Sequence, residues 1–171
     1  MRVLISEEQI RQRVDLVASE IRQTYGHEPV TIIGVLTGCL VFLADLIRRL
    51  DLPIRIILVQ ASSYRGATTT GSQLAVNDDV LGDLKGRHVL IVEDILDTGK
   101  TLRHMVNLIQ AREVASVRIA VLMRKLGRQI IEIEPDFVCF RIPDEFVVGY
   151  GLDYNDEFRN LPYIAIYEGQ K

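Results

Sequence analysis

Residues 88–102 constrain what this chain can fold into more than any other stretch. His88-Val89-Leu90-Ile91-Val92 is a continuous, β-branched apolar run, the pattern of a parallel strand buried on both faces. Leu102, Val106 and Ile109 then recur on one helical face. A strand therefore feeds a helix within a few residues, and between them stand Glu93, Asp94, Asp97 and the step Thr98-Gly99-Lys100-Thr101. Free N–H groups at a helix start and the helix dipole both favour an anion, so a phosphate is expected near residues 98–101.

Gly99-Lys100-Thr101 matches the end of a nucleotide-triphosphate loop, but the first glycine of that motif falls at position 94, where Asp94 stands. Adjacent acids repel a triphosphate tail. They suit neighbouring hydroxyls or a divalent cation, because an ionised carboxylate accepts up to about four hydrogen bonds and is a hard oxygen ligand. Strand, acid pair, phosphate loop and helix together describe a cradle for a sugar phosphate, with hydroxyls at Glu93 and Asp94 and a monophosphate at the helix start. Taken singly, each acid reads equally well as a solvated strand-end residue, with Asp97 an ordinary N-cap. The combination within one short connection points to a ligand.

At 171 residues the chain fits one domain able to bury roughly 70% of its unfolded surface. The net charge of -3, from 20 basic and 23 acidic residues, gives no global attraction to nucleic acid or to an anionic membrane. No apolar stretch is long enough to span a bilayer, and Ser6-Glu7-Glu8 follows the first residues too closely for a signal peptide, so a cytoplasmic location is expected. Cys39 and Cys139 lie among apolar neighbours without metal-ligand spacing and read as packed thiols.

Taken in order, Ser6-Glu7-Glu8-Gln9 is a capping box, and Ile10, Val14, Val17 and Ile21 give an amphipathic first helix ending near Gly26. Residues 30–36 read as a buried strand and 40–50 as a helix, with Thr37-Gly38-Cys39 between them. A glycine there permits close backbone approach and a second anion site beside the first. Residues 53–60 read as a third central strand. The polar segment over about 61–83 is too long for an ordinary connection and reads as a lid. Residues 116–123 supply another strand, ending in Arg124-Lys125. His27, His88 and His104 are isolated and are assigned no role.

The run from Val89 to Thr101 resembles the phosphoribosyl diphosphate signature of the type I phosphoribosyltransferases, and within them the hypoxanthine-guanine branch. The resemblance covers nearly the whole chain. Gly34-Val35-Leu36-Thr37-Gly38, followed by Phe42-Leu43-Ala44-Asp45-Leu46, is similar to the family's pyrophosphate loop, which implies substrate contacts at Leu36, Thr37 and Gly38. The family usually carries a lysine where Thr37 stands, often after a cis peptide. A hydroxyl carries no charge, so backbone N–H groups and metal would take a larger share of pyrophosphate binding. Ser63-Tyr64-Arg65-Gly66 resembles the flexible active-site loop, placing Ser63 and Tyr64 over the reacting substrates, where closure excludes water from an electrophilic carbon.

By the same resemblance Glu93 and Asp94 hold the ribose hydroxyls, and Thr98, Gly99, Lys100 and Thr101 bind the 5'-phosphate. Asp97 is the catalytic residue, handling the base's ring proton near N7. Lys125 aligns with the lysine that meets the 6-oxo group of the purine, an edge where an ammonium, being only a donor, prefers a carbonyl to an amino group. In the second signature, from Pro135 to Asn155, Phe137 is implied as the stacking ring, the Val138 backbone as the contact to the polar edge of the base, and Asp144 as a magnesium ligand. Arg159 is implied near the pyrophosphate.

The fold implied is α/β and type I phosphoribosyltransferase-like. It has a mostly parallel central sheet flanked by helices, a small hood from the chain ends and the flexible loop, in a single domain over 1–171. The implied enzyme is a pentosyltransferase of purine salvage that joins 5-phosphoribosyl 1-diphosphate to a 6-oxopurine, with Mg2+ held by Asp144, Glu93 and Asp94. A homodimer or homotetramer is the expected assembly. Two alternatives stay open: transfer to xanthine or another nucleobase, and an RNA-binding regulator of pyrimidine genes on the same fold.

Overall fold

The computed structural model describes residues 1–60, 62–63, 74–75 and 78–169. After β1 (Arg2–Ile5), Ser6 caps α1 (Glu7–Tyr25). The Ser6 side chain accepts from the Gln9 N–H and the Gln9 side chain accepts from the Ser6 N–H, the reciprocal pair expected of Ser-x-x-Gln. Then come β2 (Val30–Leu36), α2 (Leu40–Ile47), β3 (Ile54–Gln60), the two-residue strands β4 (Ser62–Ser63) and β5 (Leu74–Ala75), and one 3-10 turn at Asp78–Val80. The remainder is β6 (His88–Leu96), α3 (Lys100–Gln110), β7 (Ser116–Lys125), β8 (Phe137–Ile142), β9 (Val147–Val148) and β10 (Ile164–Ile166).

Five strands make one parallel sheet in the order β3-β2-β6-β7-β8, and a three-stranded antiparallel sheet, β1-β10-β9, forms the hood. The β-branched run of β6 is buried on both faces, as a central parallel strand requires. Leu90 and Val92 share a core with Val14 and Val17 of α1 and Phe42 and Leu46 of α2. Val89 and Ile91 share the opposite core with Leu102, Met105 and Ile109 of α3. Each such side chain contributes roughly 1.5–3 kcal/mol by leaving water.

Two strands differ from the sequence expectation. Residues 53–60 do not form a central strand. β3 lies at the sheet edge, and Ile56 and Leu58 are 43% and 42% exposed. β6 runs on through the acids to Leu96, so Glu93 and Asp94 lie within the strand rather than after it. Its pairing with β2 stops at Gly34 opposite Val92, whereas its pairing with β7 continues to Leu96 opposite Arg124. A notch therefore opens beside Glu93 and Asp94. It lies where the chain order reverses, since β2 continues through α2 to β3 on one side and β6 through α3 to β7 on the other. Ligands of open α/β sheets bind at such a switch point, outside the carboxyl ends of the strands.

The expected loop over 61–83 falls largely outside the described residues. Within it, Ser62 and Ser63 pair antiparallel with Ala75 and Leu74, and Tyr64 lies outside the described residues.

Candidate active site

The notch holds a polar cleft of about 370 Å3, lined by Leu36, Thr37 and Gly38 after β2, Glu93 and Asp94 on β6, and Asp153 and Arg159 from the hood side. The Leu36–Thr37 peptide is cis. Gly38 packs directly on Asp94: a Cβ there would overlap its carboxylate and stand 2.6 Å from Cγ. Gly151, at φ +102, packs in turn on the Gly38 carbonyl oxygen. Three segments thus meet without intervening side chains, which only glycine allows at these two positions. Gln60, at the end of β3, and Thr101 complete the polar lining.

Burial, then the neighbouring Asp94, raises the pKa of the 7% exposed Glu93. Asp94 is pushed up to about 6, again by burial first, against hydrogen bonds from the N–H groups of 94 and 95 and the charge of Arg159. Arg159, the one cation lining this cleft among the described residues, donates to the Gly151 carbonyl at 2.8 Å and pairs with Asp153 at 2.8 Å. The buried Glu93 and the half-buried Asp94 are under-compensated, and hydroxyl donors or a divalent cation would relieve them.

An acid whose folded pKa is raised gives stability at low pH that is lost as pH rises from its unfolded value of about 4 through about 6. Asp94→Asn therefore raises the melting temperature of the ligand-free protein at pH 8, by about 2–4 °C for each kcal/mol relieved, and changes it little at pH 4. Melts at the two pH values check this. An equal shift at both would assign the gain to packing.

A second, small cavity of about 50 Å3 lies at the start of α3, lined by Glu93, Asp97, Thr98, Gly99 and Thr101. Asp97 is not the helix cap. Gly99 takes that position at φ +84 with no side chain to cap it; the Lys100 N–H has only a long contact, 3.5 Å, to the Thr98 hydroxyl, and the N–H groups that follow are available to a ligand. A Cβ on Gly99 would stand 2.6 Å from the Ile131 carbonyl oxygen. Lys100 is exposed, so its contribution to the cradle comes from its backbone.

The third cavity, about 210 Å3, is lined by Asp94, Asp97, Lys125, Phe146, Val147, Leu152 and Asp153. Here the structure corrects three sequence assignments. Phe137 and Val138 lie within β8, in register with Ala120 and Val121, and are 5% and 8% exposed in the two cores. They have no open face for a ring to stack on. The aromatic beside Lys125 is Phe146, 48% exposed, with its ring edge-on to Tyr154 at 5.8 Å and Tyr167 at 6.2 Å. Asp144 lines neither cleft but faces two cations, Lys125 at 3.7 Å and Arg128 at 3.5 Å. Asp153 lines both the polar cleft and this cavity.

Sequence reasoning thus placed Leu36, Thr37, Gly38, Glu93, Asp94, Asp97, Thr98, Gly99, Thr101, Lys125 and Arg159 around one connected site. It missed Gln60, Phe146, Val147 and Asp153. For two of these, Phe146 and Val147, the sequence offers the same short motif twice. Pro143-Asp144-Glu145-Phe146-Val147 nearly repeats Pro135-Asp136-Phe137-Val138, and the second copy follows the end of β8 at Ile142.

Among the described residues no group of three His, Cys, Asp or Glu side chains is placed to hold a metal by itself. Magnesium is commonly held by one or two carboxylates together with substrate phosphates and water, and Asp153 with Asp94 offers that donor set. Asp144 lines none of the three cavities and so stands apart from that donor set. Among the described residues, no helix is long and apolar enough to cross a membrane.

Comparison with known proteins covers nearly the whole chain. A family model described as the phosphoribosyl transferase domain matches residues 5–155. The hypoxanthine-guanine phosphoribosyltransferase of Streptococcus pneumoniae is 42% identical over 165 residues, covering 96% of this chain and 92% of its own. The hypoxanthine phosphoribosyltransferase of Haemophilus influenzae is 42% identical over 166 residues, covering 95% and 93%. The crystal structure of a hypoxanthine phosphoribosyltransferase from Staphylococcus aureus superposes with a TM-score of 0.91 at 39% identity, over 98% of this chain and 91% of that one.

Proposed function

Because the chain belongs to the phosphoribosyltransferase family, in its hypoxanthine-guanine branch, we propose that the three cavities divide one pair of substrates among them. The reaction is that of purine salvage, transfer of the 5-phosphoribosyl group from 5-phosphoribosyl 1-diphosphate to hypoxanthine or guanine, giving IMP or GMP and pyrophosphate. The observation that carries the assignment of cavities is the acid pair of buried Glu93 and half-buried Asp94. It stands at the notch between a helix-start anion cradle and a pocket containing Lys125.

In this reading the diphosphate lies along Leu36, Thr37 and Gly38, with Arg159 supplying the positive charge that Thr37 lacks. Glu93 and Asp94 accept from the ribose hydroxyls, and the 5'-phosphate seats on the N–H groups and hydroxyls of residues 98–101. The purine lies on Phe146, with its 6-oxo group toward the largely buried Lys125 and its polar edge along the Val147 backbone. A purine ring nitrogen attacks C1 of the ribose as the C1–O bond to diphosphate breaks and its electron pair leaves with the diphosphate. Asp97 takes the ring proton released near N7. Asp153 and Asp94 would hold magnesium, which when bound neutralises the departing diphosphate. Ser63 and Tyr64 are the remaining substrate contacts in this reading, supported by the family resemblance alone.

The protein works in the cytoplasm as a homo-oligomer, a dimer or tetramer. Support for self-pairing comes from Ile56 and Leu58, exposed two residues apart on the edge strand β3, since a two-fold contact can bury one patch against its own copy. Light scattering that gives the mass of one chain would remove this part.

The reaction is tested by competition. Purified protein, magnesium and phosphoribosyl diphosphate are given equal hypoxanthine, guanine, xanthine, adenine and uracil. Nucleotides from hypoxanthine and guanine are expected, with adenine excluded because an amino group cannot accept from Lys125. Xanthine or uracil as the chief product would move the specificity, and tight RNA binding without turnover would replace the enzyme with a regulator.

A further inference from the structure

We infer that Arg128 is a positioning residue: its guanidinium holds the Asp97 carboxylate on the purine side of the site, and Asp144, beside the same Nε, helps to anchor that guanidinium. The inference rests on the reading of Asp97 as the group that meets the ring proton. Asp97 lines both the phosphate cradle and the purine pocket. Left alone, a carboxylate there is drawn toward the free N–H groups opening α3, the place needed by the 5'-phosphate. Arg128 Nε stands 3.0 Å from Asp97 Oδ1 and 3.5 Å from Asp144 Oδ1, and Lys125 Nζ reaches the same Asp144 oxygen at 3.7 Å. One cation is thereby shared between the proton acceptor and the acid beside the lysine that meets the 6-oxo group.

The segment presenting Arg128 is fixed at both ends. Leu126 N–H donates to the Ile142 carbonyl at 2.9 Å, and the N–H groups of Ile130 and Ile131 both donate to the Thr98 carbonyl at 3.0 Å. The guanidinium is therefore registered to β8 on one side and to the phosphate loop on the other. Arg128 is 46% exposed on its side chain, so these ion pairs contribute little to stability. Their consequence is directional.

The test is a double-mutant cycle on four proteins: wild type, Arg128→Gln, Asp97→Ala and the pair. Each is assayed at enzyme concentrations high enough to read the slow variants. Arg128→Gln is expected to lower kcat/KM for hypoxanthine roughly tenfold, the scale set by a misplaced catalytic group. In the Asp97→Ala background it should change less than about twofold, because the group it positions is gone. Arg128→Lys should recover part of the loss, since an ammonium keeps the charge without the fixed planar fork. Equal losses in both backgrounds, or no loss in the wild-type background, overturn the inference. No loss from Asp97→Ala itself would instead overturn the reading of Asp97.

Discussion

Replacing Asp97 by asparagine lowers kcat for hypoxanthine by roughly 10²–10⁴-fold, the span usual for a general acid or base, and leaves KM for phosphoribosyl diphosphate within a few-fold. Asparagine keeps the volume and one acceptor oxygen, so the contact with Arg128 at 3.0 Å survives while the capacity to take a proton is lost. Phosphoribosyl diphosphate binding changes little because Asp97 is absent from the cleft of Gly38, Glu93 and Asp94, and in the phosphate cradle, which it also lines, the amide removes a negative charge rather than a donor to the 5'-phosphate. The loss stops short of abolition, since positioning of the two substrates and charge stabilisation at the diphosphate supply most of the rate. Steady-state kinetics with each substrate varied in turn reads both constants. Unchanged kcat would pass the proton to another carboxylate of the purine pocket, Asp94, whose pKa of about 6 suits it to accept one near neutral pH.

Much of this site was legible in the sequence because its parts are set by short-range rules. A run such as Val89 to Val92 is tolerated only by a strand covered on both faces, and a glycine followed by helix periodicity leaves N–H groups free at a predictable place. Gly38 was legible for the same reason, as glycine between a buried strand and a helix marks close backbone approach. What was not legible depends on where strands stop relative to one another. Phe137 and Phe146 sit in nearly the same local sequence, yet one is locked in register opposite Ala120 and the other emerges after β8 ends at Ile142. Nothing local separates them. Likewise, β3 reads as central because Ile54, Ile56 and Leu58 are apolar, and its place at the edge follows from strand order alone. Arg128, a single arginine after a turn glycine, gains meaning only when residues 97 and 144 are both brought to its Nε.

Gly38→Ala lowers kcat/KM for phosphoribosyl diphosphate by roughly 10²-fold, the cost of misplacing reacting groups by about 1 Å, chiefly through KM. The added methyl would occupy the space of the Asp94 carboxylate, and Gly151 packs on the Gly38 carbonyl from the hood side, so residue 38 has no free direction of retreat. Two responses remain. Either Asp94 rotates away and no longer accepts from the ribose hydroxyls, or the loop of residues 36–38 is displaced with the diphosphate contacts it carries. A second substitution separates them. If Asp94 rotates, Asp94→Ala costs far less in the Gly38→Ala background than in the wild type, because that carboxylate has already left the ribose. If the loop moves, the two losses add. Wild-type KM for phosphoribosyl diphosphate in Gly38→Ala would mean that Asp94 accommodates the methyl without leaving its ligand, and the packing of Gly38 on Asp94 would then carry no part of substrate binding.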